Sequence, residues 1–187
     1  MKFAQLFILI LAFFVIRPAS AGLLIEPVAG FSFGKFEVDD TGYSSVDMSG
    51  TSYGGRLGYQ NLGFQLGLDY LKSSQSVDDS DYSSLEMSEW AGFVGFEFPV
   101  LLRVYAGYIF SATADGKYDA GLGKKDLELS SGSGTKFGIG FTGLPFVDIN
   151  FEYRAGTFGE LNYAGSESTV DTTYSSYMIG ISLPFVL

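Results

Sequence analysis

The chain has 187 residues and a formal net charge of −10, with 25 glycines, 18 phenylalanines and 12 tyrosines but neither histidine nor cysteine. This composition excludes disulfides, thiolate metal centres and any catalysis built on a histidine base. Its acidic balance argues against a nucleic-acid partner bound through a basic surface.

The N-terminus is an export signal in pattern. Lys2 supplies the leading charge, Phe3 to Ile16 is almost wholly apolar, and Ala19-Ser20-Ala21 supplies the small residues a signal peptidase needs. The 14 residues of that run fall short of the roughly 20 that span a bilayer as a helix. Residues 1–21 are therefore expected to be cleaved, leaving residues 22–187 as one domain that starts at Gly22. Loss of Lys2 and Arg17 takes the charge from −10 to −12. Without cysteine there is no site for an N-terminal lipid.

From Gly22 onward the apolar residues recur with period two, the signature of strands. Ile25, Ala29, Phe31 and Phe33 alternate with Glu26, Gly30, Ser32 and Gly34. Leu57 and Tyr59 alternate with Arg56, Gly58 and Gln60, and Phe64, Leu66, Leu68 and Tyr70 with Gln65, Gly67 and Asp69. Trp90, Val94, Phe96 and Phe98 share a face opposite Glu89, Ala91, Gly95 and Glu97. Leu102 to Phe110 repeats the pattern against Arg103, Tyr105, Gly107 and Ser111. Phe137, Ile139 and Phe141 stand opposite Lys136, Gly138, Gly140 and Thr142. Val147 to Ala155 alternates with Asp148, Asn150, Glu152 and Arg154, and a last run carries Tyr177, Ile179, Ile181, Leu183 and Phe185. That makes eight strands.

Their connections alternate in length. Tight turns are expected at Asn61-Leu62, Pro99-Val100-Leu101 and Leu144-Pro145, and long polar loops near 38–50, 73–84, 112–131 and 157–172. The pattern predicts an all-β, eight-stranded antiparallel up-and-down transmembrane barrel, with short periplasmic turns and long extracellular loops. A soluble sandwich also alternates, but its outer face would be dominated by charge. Here the polar-side positions are crowded with glycine, which suits the narrow lumen of a small barrel. Tyr59, Phe64, Phe98, Phe146 and Phe185 at one rim, and Tyr70, Trp90, Phe110, Tyr153 and Tyr177 toward the other, mark two aromatic girdles.

Over residues 22–187 the chain resembles the small outer-membrane barrels of the OmpA/OmpX type, in signal peptide, strand number, loop asymmetry and the alternating final strand Ser175 to Leu187. The resemblance implies residence in the bacterial outer membrane, contact with its lipid and lipopolysaccharide, and insertion by the barrel-assembly machinery. Two departures stand out. Such proteins commonly finish on an aromatic residue, whereas this chain reads Phe185-Val186-Leu187, and no peptidoglycan-binding domain is expected after the barrel.

No catalytic, cofactor or resident metal site is expected. Gly30-Phe31-Ser32-Phe33-Gly34 matches a nucleophile elbow, Gly138 to Gly143 a dinucleotide fingerprint and Ser133 to Lys136 an S-x-x-K motif, but none has the helix its chemistry requires. A carboxylate pair drawn from Asp69, Glu89 and Glu97 is the one remaining acid–base candidate. The stronger expectation is an ion-paired plug of Glu26, Arg56, Asp69, Glu97, Arg103, Lys136, Asp148, Glu152 and Arg154. Turns centred on Val100 and Leu144 would set Glu97 opposite Arg103 and Lys136 opposite Glu152, with Asp69 diagonal to Arg56. In the loops, Asp39, Asp40, Asp78, Asp79, Asp81, Tyr43 and Tyr82 are candidates for holding Ca²⁺ or Mg²⁺ or for contacting a surface partner. These readings favour a structural or surface-interaction barrel. The alternative is a narrow transport barrel for ions or small apolar molecules, and what fills the lumen discriminates the two.

Overall fold

The computed structural model describes residues 21–38, 45–77, 85–119, 124–163 and 165–187. All but the last residue of the expected signal lies outside that set, as do Asp39, Asp40, Tyr43, Asp78, Asp79, Asp81 and Tyr82. Eight long strands follow one another: β1 (Gly22–Val38), β2 (Val46–Asn61), β3 (Phe64–Val77), β4 (Leu85–Phe98), β5 (Leu102–Asp119), β6 (Lys124–Phe141), β7 (Asp148–Tyr163) and β8 (Ser166–Ser182). Each pairs antiparallel with its neighbours, and β1 pairs with both β2 and β8, so the sheet closes into a barrel. A ninth short strand, β9 (Phe185–Val186), resumes the pairing with β1 after Pro184, which has no N–H to give the ladder. Leu23 and Leu187 then exchange both backbone hydrogen bonds at 3.0 Å.

The turns fix the register, and two of them sit one residue from their expected centres. Asn61 opposes Phe64, so the first turn is Leu62-Gly63, and both residues have positive φ (49° and 85°) as a two-residue hairpin requires. Arg56 therefore faces Asp69 directly instead of diagonally. Phe141 opposes Ile149, which centres the third turn on Pro145; Lys136 faces Arg154, and Glu152 faces Gly138. The turn at Val100 sets Glu97 opposite Arg103, as expected.

Outward positions in the first part of each hairpin are apolar and exposed, among them Leu23, Ile25, Phe31, Leu57, Leu66, Val94, Ile139, Phe151 and Ile179. A soluble surface cannot carry such a belt; lipid covers it. From Leu23 to Phe33 the belt climbs ten residues of a strand tilted by some 40°, or about 25 Å, the thickness of an outer-membrane apolar band. The strands do not stop there. At 14 to 18 residues they rise about 15 Å beyond the belt. Parts of all four stretches expected as long loops are strand, and most of the third and fourth: 46–50, 73–77, 112–119, 124–131, 157–163 and 166–172 all lie in the ladder. The fourth expected loop shrinks to a hairpin in which Tyr163 opposes Ser166.

In this upper section the polarity of the wall reverses. Outward positions become Ser49, Thr51, Ser74, Glu86, Ser111, Thr157 and Thr173. Inward positions become apolar: Met48, Leu85, Met87, Ala112, Ala114, Leu129, Phe158 and Tyr174 form one buried cluster with Ala91 and Ile109, flanked by Phe36, Val77 and Leu161. A bulge on β5 assists the change. Trp90 opposes Ser111 while Ala91 opposes Ile109, so Phe110 is the extra residue and Ser111 faces outward instead of into the lumen.

Candidate functional site

Below the apolar cluster the lumen holds charge. Register alone sets the first contacts, because Glu26, Arg56 and Asp69 are successive cross-strand partners on β1, β2 and β3. Arg56 donates from Nε to Asp69 (2.9 Å), from Nη1 to Glu26 (3.2 Å) and from Nη2 across the bore to Glu152 (3.0 Å). Arg103 reaches Glu26 with both terminal nitrogens (2.6 and 3.0 Å), donates to Asn150 Oδ1 (2.7 Å) and stands 3.5 Å from Asp148. Lys136 Nζ lies 2.5 Å from Asp69 and 3.4 Å from Glu152. Arg154 holds three carboxylates, Glu152 at 2.5 Å, Glu89 at 2.6 Å and Asp69 at 3.1 Å.

Lys136 and Arg154 are like charges in directly opposed positions, an arrangement that destabilises a sheet when nothing intervenes. Here Asp69 and Glu152 each bridge both cations. Neutral groups complete the layer. Ser182 donates to Glu26 (2.5 Å), Asn150 donates to Ser182 (2.8 Å), and the Tyr174 hydroxyl donates to Glu89 (2.5 Å). The Tyr105 ring sits among three cations, with Arg56 Cζ 4.2 Å, Arg103 Cζ 5.5 Å and Lys136 Nζ 5.6 Å from its centroid. It also lies across Gly138, where a Cβ would collide with the phenol ring. That close approach is why the position is glycine.

Every charged side chain of this layer is buried. An unpaired ion there would be several kcal/mol uphill, whereas paired and hydrogen-bonded ions persist. The layer unites eight of the nine residues expected in the lumen network. The exception is Glu97. It opposes Arg103 in register but is only half-buried and forms no ion pair with a described residue; the guanidinium turns inward to Glu26 instead. The pair it makes there is bidentate, with each terminal nitrogen on one Glu26 oxygen. Glu89, expected as a lining residue, takes a full place in the network through Arg154. Asn150, Ser182 and Tyr174 complete the layer; their inward parity is readable from the sequence, their hydrogen-bond roles are not.

The three motif matches fall on β1 and β6, with Thr142 and Gly143 just past the end of β6. Ser32 hydrogen-bonds Ser52 at 2.6 Å, and Ser52 in turn meets Ser73 at 2.9 Å. Gly138 to Phe141 completes β6, and Lys136 is occupied by its two carboxylates.

No protein-family model and no curated protein matches the chain. Solved structures do. Neisserial surface protein A (NspA) is 18% identical, with a TM-score of 0.57 over 89% of this chain and 99% of its own. The attachment invasion locus protein Ail of Yersinia pestis is 13% identical, with a TM-score of 0.63 over 89% of this chain and 100% of its own. The outer membrane protein OprG of Pseudomonas aeruginosa is 14% identical, with a TM-score of 0.51 over 92% and 100%. The fold of this chain is that of the small outer-membrane barrels.

Proposed function

We propose that the protein is a non-catalytic barrel of the bacterial outer membrane, closed through its lumen, which acts through its outer wall and its protruding end. The observation that carries this reading is the ion-paired layer. Four cations, Arg56, Arg103, Lys136 and Arg154, interlock with five carboxylates, Glu26, Asp69, Glu89, Asp148 and Glu152, across the bore. An eight-stranded bore is only wide enough for side chains to fill it. The apolar cluster stacked on that layer adds a second seal that water does not wet readily.

With the export signal expected at residues 1–21, the short turns lie in the periplasm, the protruding strands point outward, and insertion falls to the barrel-assembly machinery. The names of two similar structures, a surface protein and an attachment protein, fit a surface role. Ail has also been solved with the heparin analogue sucrose octasulfate. A polyanion of that kind suits this chain poorly, because among the described side chains the outward collar carries Glu37, Asp47, Glu86, Asp115 and Glu128 against Lys35 and Lys72. A catalytic reading is disfavoured because the Asp69 and Glu89 carboxylates are clamped by arginine.

Conductance of the refolded mature chain in a planar bilayer tests the proposal. The expected trace is silent, apart from rare brief openings. Steady conductance by the wild-type barrel, unaltered by neutralising Arg103, would establish the transport alternative.

A further inference from the structure

The outer wall changes character where β1, β8 and β7 leave the lipid belt. The row that ends the belt there is aromatic, Phe33–Tyr177–Tyr153. Its ring centroids are 5.7 Å apart for Phe33 and Tyr177 and 5.0 Å for Tyr153 and Tyr177. The two rows above it read Lys35–Ser175–Ala155 and Glu37–Thr173–Thr157. Strand β1 thus carries a ridge of one cation and one anion, while β8 and β7 beside it carry small uncharged residues. The difference in side-chain length leaves a trough of about 330 Å³, with the ridge as one bank.

We infer that this ridge and trough form a contact between two copies of the chain in one membrane, each ridge seated in the other's trough. The inference rests on the membrane placement proposed above and supplies a partner for the outer wall. Geometry is the first argument. Copies inserted in the same sense hold their troughs at one height, so the two-fold axis relating them runs along the membrane normal. With that axis on β8, the β1 ridge of one copy faces β7 of the other, and the two Ser175 residues meet at the axis. Charge is the second argument. Lys35 of each copy then lies within reach of Glu37 of the other, the reciprocal pattern that a two-fold contact requires. In the single copy Lys35 stands 3.6 Å from Asp47 with both side chains more than half exposed, a loose pair that costs little to leave. The hydroxyls of Ser175, Thr173 and Thr157 donate and accept, so they suit a head group of either sign. The opposite wall offers no such match. There Glu86 and Asp115 are cross-strand partners, both exposed, and would repel the same pair on a second copy.

The chain has no cysteine, so a single introduced thiol can form a disulfide only between copies. The test refolds the mature Ser175→Cys chain into phosphatidylcholine vesicles, with Ser88→Cys on β4, across the barrel from β8, as the control. Disulfide dimer is read on a non-reducing gel after oxidation with copper phenanthroline. The expected yield of dimer is about fivefold higher for Ser175→Cys, equivalent to roughly 1 kcal/mol, which is what two exposed ion pairs supply. Adding Lys35→Glu, which sets like charges on both ridges, should bring the yield down to that of the control. Adding Lys35→Glu together with Glu37→Lys exchanges the two charges and should restore it. Heat-modifiable gel migration verifies that each variant is folded. If Ser175→Cys does not fold, Thr173→Cys, the next outward position on β8, takes its place. Equal yields at the two positions, a yield indifferent to Lys35→Glu, or a loss that the exchange does not recover overturns the inference. A conducting lumen would overturn the proposed function and leave this result standing; a silent lumen with equal yields would overturn the contact alone.

Discussion

The barrel is two proteins stacked on one set of strands. In the lipid-covered section the outward residues are mainly Leu, Ile, Val and Phe, and the interior is built around Arg, Lys, Glu and Asp with Leu24, Val28, Phe93, Tyr105 and Met178 packed beside them. In the section above it the outward residues are Ser, Thr, Asp and Glu and the inward ones form an apolar cluster. The solvent outside decides which arrangement is stable. Lipid gives no reward for burying leucine, so the membrane section can spend its interior on ion pairs; water does give that reward, so the protruding section folds as an ordinary globule. The strands and their parity are continuous across the boundary. What changes is only which face the apolar residues occupy.

The sharpest way to break this comparison is to disable the ionic interior. Arg154→Leu removes the cation shared by Glu152, Glu89 and Asp69. It should destabilise the barrel by about 4 kcal/mol, because three buried carboxylates lose a partner. Unfolding by denaturant in lipid vesicles, followed by the single tryptophan Trp90, measures this. A loss under 1 kcal/mol would mean that water enters the layer and screens it, and the plug would then be wet.

The counterpart in the upper section is Phe158→Ala. Phe158 is fully buried, its ring 5.2 Å from Tyr174 and 6.1 Å from Phe36. Truncation should cost about 3 kcal/mol through lost transfer energy and the cavity left behind. Since water surrounds this section, the loss should be the same in vesicles of thin and thick bilayers. Dependence on bilayer thickness would place Phe158 inside the membrane and erase the boundary drawn here.

The boundary also explains what could be read from the sequence. Apolar residues facing lipid alternate with glycine and charge, so all eight strands and the parity of every network residue were legible. The upper strand halves were not. There the alternation persists but with serine and threonine outside and alanine, methionine and glycine inside, as in Met48-Ser49-Gly50-Thr51 or Ala112-Thr113-Ala114, and hydrophobicity contrast falls too low to separate strand from loop. Bulges at Phe110 and Ser131, where φ is 55°, shift the phase besides. Pairing partners were lost for a different reason. A turn centre misplaced by one residue, as at Leu62-Gly63, moves every cross-strand partner by two. Long side chains then choose among partners by reach, as Arg103 does in passing over Glu97 for Glu26.

The smallest predicted effect tests the seam where the two sections meet. Tyr174 belongs to both: its ring packs in the apolar cluster, and its hydroxyl donates to Glu89 at 2.5 Å. Tyr174→Phe keeps the ring and removes the donor, so the upper section should be untouched and Glu89 should lose one charge-assisted hydrogen bond. The expected loss is about 2 kcal/mol. The background decides whether that loss belongs to the seam. With Glu89→Ala already in place, the hydroxyl of Tyr174 would be buried without its acceptor, so removing it should cost nothing and could stabilise the barrel by a few tenths of a kcal/mol. A double-mutant cycle on these two positions should therefore return a coupling of about 2 kcal/mol. An unchanged loss in the Glu89→Ala background would show that Tyr174→Phe acts through ring packing, and that the charged layer and the apolar cluster are energetically separate units that happen to share a wall.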